Sequence, residues 1–103
     1  MHRRDAPFFF SKPADAVFHK DSKISYPQKT KHFHHEVELV VAIGEKGRNI
    51  SKSEALNHVF GYTVGLDLTR RDLQKEAKKK GRPWTLAKGF DHSAPCSVLH
   101  KVD

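Results

Sequence analysis

The 103 residues contain 19 Lys or Arg against 12 Asp or Glu, a formal net charge of +7 with histidine neutral. This length holds one domain at most, and with 37% hydrophobic residues its core is modest. The single cysteine, Cys96, excludes an internal disulfide and a cysteine-based zinc site. No run approaches the ~20 apolar residues of a membrane span, and Met1–Asp5 opens no signal peptide, so the chain reads as soluble and cytoplasmic.

In chain order, Phe8-Phe9-Phe10-Ser11-Lys12-Pro13 reads as a short aromatic strand stopped by proline. Residues 14–33 read as loop, with an edge strand at Ile24 and Tyr26. The strongest strand spans His35 to Ile43 and ends at Gly44. Alternation places Val37, Leu39, Val41 and Ile43 on one face, expected to be core. The other face carries His34, Glu36, Glu38, Val40 and Ala42. Ser51-Lys52-Ser53-Glu54 has the form of a capping box opening a helix near 52–60. Gly61–Leu68 then reads as a β-segment, and Thr69-Arg70-Arg71-Asp72 opens a second helix running to about Lys80, stopped by Gly81 and Pro83. The tail is irregular, with a strand expected at Trp84-Thr85-Leu86-Ala87.

Glu36 and Glu38 lie two apart on one strand face, roughly 6.5–7 Å between Cα atoms. A divalent cation bound there keeps two such neighbours ionised, although spacing alone favours an ordinary solvent-facing pair. Asp67 ends a β-segment immediately before a helix, as a third oxygen ligand or, on the residues alone, as a helix cap. Three carboxylates without imidazole or thiolate suit Mg²⁺ or Mn²⁺. Of His32, His34 and His35, only His34 shares the face of the two glutamates, where packing or a hydrogen bond to a ligand residue is favoured over ligation. Cys96 reads as a small buried thiol. The basic run Lys75, Lys78, Lys79, Lys80 and Arg82 reads as a solvated helix face, since no aromatic nucleic-acid motif accompanies it. Lys88, alone among apolar residues and glycine, suits a partly buried ammonium facing an anion or enolate.

Four motifs, in order, resemble the fumarylacetoacetate hydrolase superfamily, and within it the fumarylpyruvate and acylpyruvate hydrolases. They are Phe9–Pro13, His34–Leu39, Gly61–Gln74 and Lys78–Phe90. The resemblance implies a β-rich α+β fold, a partial mixed β-roll with two short helices, in which residues 1–103 form one partial domain. It implies that Glu36, Glu38 and Asp67 ligate Mg²⁺ or Mn²⁺, that Lys88 faces the substrate, that Arg71 supports the metal-ligand loop and that Gln74 touches substrate. The implied reaction is hydrolysis of a carbon–carbon bond in a 2,4-dioxo acid, as in gentisate-type aromatic breakdown, by a homodimer with no nucleic-acid or membrane partner. It also places the base for water in a lid ahead of the Phe-x-Lys-Pro strand, and further strands beyond Lys88-Gly89-Phe90. The alternatives are an oxaloacetate decarboxylase or isomerase, and a non-catalytic fragment that binds metal or pairs with a complementary chain.

Overall fold

The computed structural model describes residues 5–19 and 23–103. Residues 1–4, part of the start read as free of a signal peptide, and 20–22, part of the expected loop, lie outside the described residues. Its strands are β1 (Val17–Phe18), β2 (Phe33–His34), β3 (Val37–Ile43), β4 (Val59–Leu66), β5 (Thr69–Arg70), β6 (Ala94–Pro95) and β7 (His100–Lys101). The helices are α1 (Arg71–Lys80) and α2 (Thr85–Lys88), with 3₁₀ turns at Ala14–Ala16 and Ala55–His58. This is the β-rich α+β arrangement expected, with two short helices.

The β3 strand pairs antiparallel with β4, from Val37 opposite Leu66 to Ile43 opposite Val59, and β4 pairs with β7. Parallel β1–β6 and antiparallel β2–β5 ribbons complete the pairing. Two glycines let the central strand accept close neighbours. A Cβ at Gly61 would collide with the His100 carbonyl, and one at Gly65 would stand 2.7 Å from Val40 Cγ2. Helix α1 ends in a Schellman motif: Gly81 sits at φ 65°, Arg82 N–H donates to Ala77 O at 2.8 Å and Gly81 N–H to Lys78 O at 3.3 Å. Its last turn carries the lysine run, placed favourably against the helix dipole.

Several expectations are corrected. Phe8–Phe10 and Ile24–Tyr26 form no strand. The Ser51–Glu54 segment makes no capping box: Glu54 Oε2 accepts from Asn57 Nδ2 at 2.7 Å, and only a 3₁₀ turn follows. Trp84–Ala87 is helical, because the Ala87 and Lys88 amides both donate to Trp84 O at 2.9 Å and Gly89 N–H closes on Thr85 O. The tail's strands are instead β6 and β7.

The largest correction concerns the core. Val37, Leu39, Val41 and Ile43 are between 44% and 71% exposed, because among the described residues nothing packs over that face. Phe60 and Val64 of β4 extend the open apolar surface. The buried hydrophobic residues are Ala16, Leu68 and Ala87, while the buried polar ones are Thr63, Asp67, Thr69, Gln74, Lys88 and Ser93. The best-protected part of the chain is therefore polar. Among the described residues no helix is long and apolar enough to cross a membrane.

Candidate metal and substrate site

The three carboxylates meet at the edge of the polar interior, with Asp67 buried, Glu36 half-buried and Glu38 exposed. One oxygen each from Glu36, Glu38 and Asp67 lies within 4.8 Å of the others, a cluster without histidine or cysteine. Glu36 and Glu38 arrive from the start of β3, and Asp67 from the turn after β4. The β3–β4 register sets Glu38 opposite Gly65, and the Asp67 amide donates to Glu36 O at 2.8 Å, locking the turn beside the strand. Asp67 is thus no helix cap. Its side chain is buried and faces two ammonium groups.

Lys88, 2% exposed, projects from the end of α2 into this cluster. Its ammonium donates to Asp67 Oδ2 at 2.8 Å, Thr69 Oγ1 at 2.8 Å and Glu36 Oε2 at 3.3 Å, and lies 4.9 Å from the centre of the Phe10 ring. Three donors meet three acceptors. Such a buried pair persists only because each charge is balanced and hydrogen-bonded. Lys12 approaches the opposite oxygen, with Nζ 2.8 Å from Asp67 Oδ1.

Arg71, the first residue of α1, works as a three-way clamp. Its Nη2 donates to Glu36 Oε2 at 2.7 Å, its Nε to His34 Nδ1 at 3.0 Å and its Nη1 to Gln74 Oε1 at 2.5 Å. Accepting at Nδ1 requires His34 to be the neutral tautomer with its proton on Nε2. Desolvation, with His32 and Arg71 nearby, lowers the His34 pKa in agreement. Gln74 is buried beside this clamp.

The two glutamates differ. Burial works to raise the Glu36 pKa but is outweighed by the Arg71 hydrogen bond and the Lys88 charge, so it falls below the usual carboxylate value. Burial raises the Glu38 pKa, and the charges of Asp67 and Glu36 add to that. Glu38 is the carboxylate with the least cationic support.

The donor set fits a hard divalent cation. It offers carboxylate oxygens alone, and Asp67 Oδ1 is buried with no donor beside it other than the Lys12 ammonium. A cleft of about 300 Å³ opens beside it, lined by Phe10, Lys12, Glu38, Val40, Asp67 and Cys96. A larger groove of about 610 Å³ between Phe8–Pro13 and Arg82–Thr85 holds none of the carboxylates. Cys96 makes only a long contact to Ala94 O at 3.5 Å, and burial pushes its thiol pKa up, so it is not an activated nucleophile.

Sequence reasoning assigned no site role to Lys12 or Ser93, and took Thr69 as part of the opening of the second helix, whereas it lies in β5 and accepts from Lys88. The signal for Lys12 was present: like Lys88 it is a lone ammonium in an apolar stretch, Phe8-Phe9-Phe10-Ser11-Lys12-Pro13.

Comparison with known proteins agrees with this architecture. The family model described as fumarylacetoacetate (FAA) hydrolase C-terminal matches residues 1–102, and the chain belongs to that family. It is 41% identical over 92 residues to fumarylpyruvate hydrolase from Ralstonia sp., covering 89% of this chain and 48% of that protein. It is 46% identical over 93 residues to the mitochondrial oxaloacetate tautomerase FAHD1 of Homo sapiens, covering 90% of this chain and 42% of that protein. The crystal structure of fumarylpyruvate hydrolase from Pseudomonas aeruginosa in complex with Mn²⁺ and pyruvate superposes with a TM-score of 0.88 at 50% identity, covering 95% of this chain and 44% of that one. The chain thus spans less than half the length of these relatives.

Proposed function

We propose that this chain carries the metal-holding part of a fumarylpyruvate (acylpyruvate) hydrolase, which cleaves a 2,4-dioxo acid into pyruvate and a carboxylic acid, fumarate when the acyl group is fumaryl. The observation that carries this reading is the convergence of Glu36, Glu38 and Asp67 within 4.8 Å, with the Lys88 ammonium buried among them. The relative described with Mn²⁺ and pyruvate supports both the cation class and the pyruvoyl end of the substrate.

Glu36, Glu38 and Asp67 would hold Mg²⁺ or Mn²⁺, which when bound supplies Lewis-acid polarisation and a template for a 2-oxo carboxylate. Arg71 keeps the Glu36 carboxylate turned toward the cluster. Gln74, fixed by the same arginine, presents its amide toward substrate. In the hydrolysis, a water oxygen adds to the distal carbonyl carbon and the carbon–carbon bond breaks. The electron pair leaves on the pyruvoyl fragment as an enolate, which takes a proton to become pyruvate. Lys88, buried beside Glu36 and Asp67, would present its ammonium to the enolate oxygen, a placement that favours the charge formed in the transition state.

The test is turnover of fumarylpyruvate with Mg²⁺ or Mn²⁺, followed by pyruvate release. Pyruvate release that disappears in Glu38→Ala is the expected result; pyruvate release unchanged in that variant contradicts it. The 46% identity to the oxaloacetate tautomerase favours a second reading, transfer of a proton between the carbon next to the 2-oxo group and the 2-oxo oxygen, with no carbon–carbon bond broken. Interconversion of oxaloacetate tautomers without cleavage of fumarylpyruvate would select that reading. A chain that binds Mn²⁺ but turns over neither compound would select the non-catalytic one.

A further inference from the structure

Lys12 comes from a segment without regular secondary structure, yet its ammonium is among the most connected groups of the molecule. It donates to Leu68 O at 2.9 Å, Lys88 O at 2.6 Å and Ser93 O at 3.0 Å. Those carbonyls belong to the turn after Asp67, the end of α2 and the approach to β6. One side chain therefore ties together the loops that carry Asp67 and Lys88. An ammonium has three protons, and these carbonyls share them with Asp67 Oδ1, 2.8 Å from Nζ.

Lys12 Nζ lies 2.8 Å from Asp67 Oδ1, a buried oxygen with no donor beside it other than this ammonium. The other oxygen is held by Lys88 at 2.8 Å. We infer that Lys12 is a positioning residue: by tying the surrounding loops together and pairing with Oδ1, it fixes the Asp67 carboxylate beside Glu36 and Glu38. This rests on the reading of Glu36, Glu38 and Asp67 as ligands. Positioning and bare electrostatics predict opposite signs. Deleting a positive charge beside a cation site strengthens cation binding if charge is all that matters, whereas losing the loop clamp weakens it.

The experiment is Mn²⁺ titration, by electron paramagnetic resonance or calorimetry, of the protein and its Lys12→Met and Lys12→Arg variants, with circular dichroism melting of the metal-free forms. Lys12→Met keeps the stem and removes the ammonium. Folded Lys12→Met is expected to bind Mn²⁺ about tenfold or more weakly, the scale of a lost ligand-orienting partner. Lys12→Arg, which returns the charge but spreads its donors over a planar fork, is expected between that variant and the parent. If Lys12→Met fails to fold, Lys12→Arg decides alone, with weakened binding supporting the inference and parent-like binding overturning it. Parent-like or tighter Mn²⁺ binding in folded Lys12→Met, whatever its melting temperature, overturns it and leaves the metal reading standing. No saturable binding in the parent overturns the metal reading and this inference together.

Discussion

At the scale of single residues, the site balances three carboxylates against Lys12, Arg71 and Lys88, and each cation contributes differently. Arg71 reaches Glu36, His34 and Gln74 at once, which only a planar five-donor fork does. Arg71→Lys therefore restores charge but not geometry. Its Mn²⁺ affinity, read by calorimetry, is expected to fall about 10-fold or more, close to that of Arg71→Ala. Parent-like affinity in Arg71→Lys would show that charge alone suffices.

Glu38 gives a prediction with opposite effects on stability and binding. Its pKa is raised by burial and by Asp67 and Glu36, so the folded state holds that proton more tightly than the unfolded chain. The stability this contributes is present below the unfolded carboxylate pKa and is lost as pH rises through the folded value. At neutral pH the ionised Glu38 is thus a cost to the metal-free chain. Glu38→Gln is expected to raise the metal-free melting temperature at pH 7 while weakening Mn²⁺ binding. In the parent, Mn²⁺ affinity should decline as pH falls through the raised Glu38 pKa, because the ligand must lose its proton. A lower melting temperature in Glu38→Gln would contradict the repulsion.

At the scale of elements, α1 is tied to the loop before β2 by Asp72. Its carboxylate accepts from the Lys31 amide at 2.9 Å and from Thr30 Oγ1 at 2.5 Å. The Lys31 backbone bond, then Thr30, holds the Asp72 pKa below the usual value. Its stabilisation is present above the unfolded aspartate pKa and is lost as pH falls through the depressed folded one. Asp72→Ala is expected to cost about 1 kcal/mol in urea unfolding at pH 7, and the difference from the parent should shrink in acid. A difference that persists after Asp72 is protonated would point to packing instead.

The elements also show which parts of the chain were legible in advance. β3 announced itself by period-two alternation, β4 by β-branched residues between glycines, and α1 by Gly81 and its basic last turn. Trp84–Ala87 did not, because four residues of mixed propensity fit a strand or one helical turn, and the burial of Ala87 and Lys88 in the folded chain decides. The carboxylate pair was visible in Glu36-x-Glu38, since a strand returns to the same face at every second residue. Asp67 joined it only through family motifs, because its place depends on the β3–β4 pairing, Val37 opposite Leu66, which local sequence does not encode. Lys12 stood out as a lone ammonium in an apolar stretch, but its carbonyl partners, 56, 76 and 81 residues away, follow only from the fold.

At the scale of the whole molecule, the expected core and the observed core are different objects. Alternation correctly separated the two faces of β3, but the apolar face stands open and the protected interior is the charged cluster. Contiguous exposed Val, Leu, Ile and Phe side chains on a sheet mark a surface that a further layer of structure ordinarily covers. The chain's span of less than half its relatives' length is consistent with that. Leu39, 71% exposed, contributes little burial within these residues. Leu39→Gln is therefore expected to change unfolding free energy by no more than about 0.5 kcal/mol, measured by urea denaturation. A loss of about 2 kcal/mol or more would mean that this face is covered in solution.

The central claim is that Glu36, Glu38 and Asp67 form one divalent-cation site within these 103 residues. Calorimetric titration of Mn²⁺ into the metal-free protein and into Asp67→Asn tests it most directly, with circular dichroism to establish that both are folded. A single saturable site is expected in the parent and is lost in Asp67→Asn. Equal Mn²⁺ binding by the two folded proteins would contradict it.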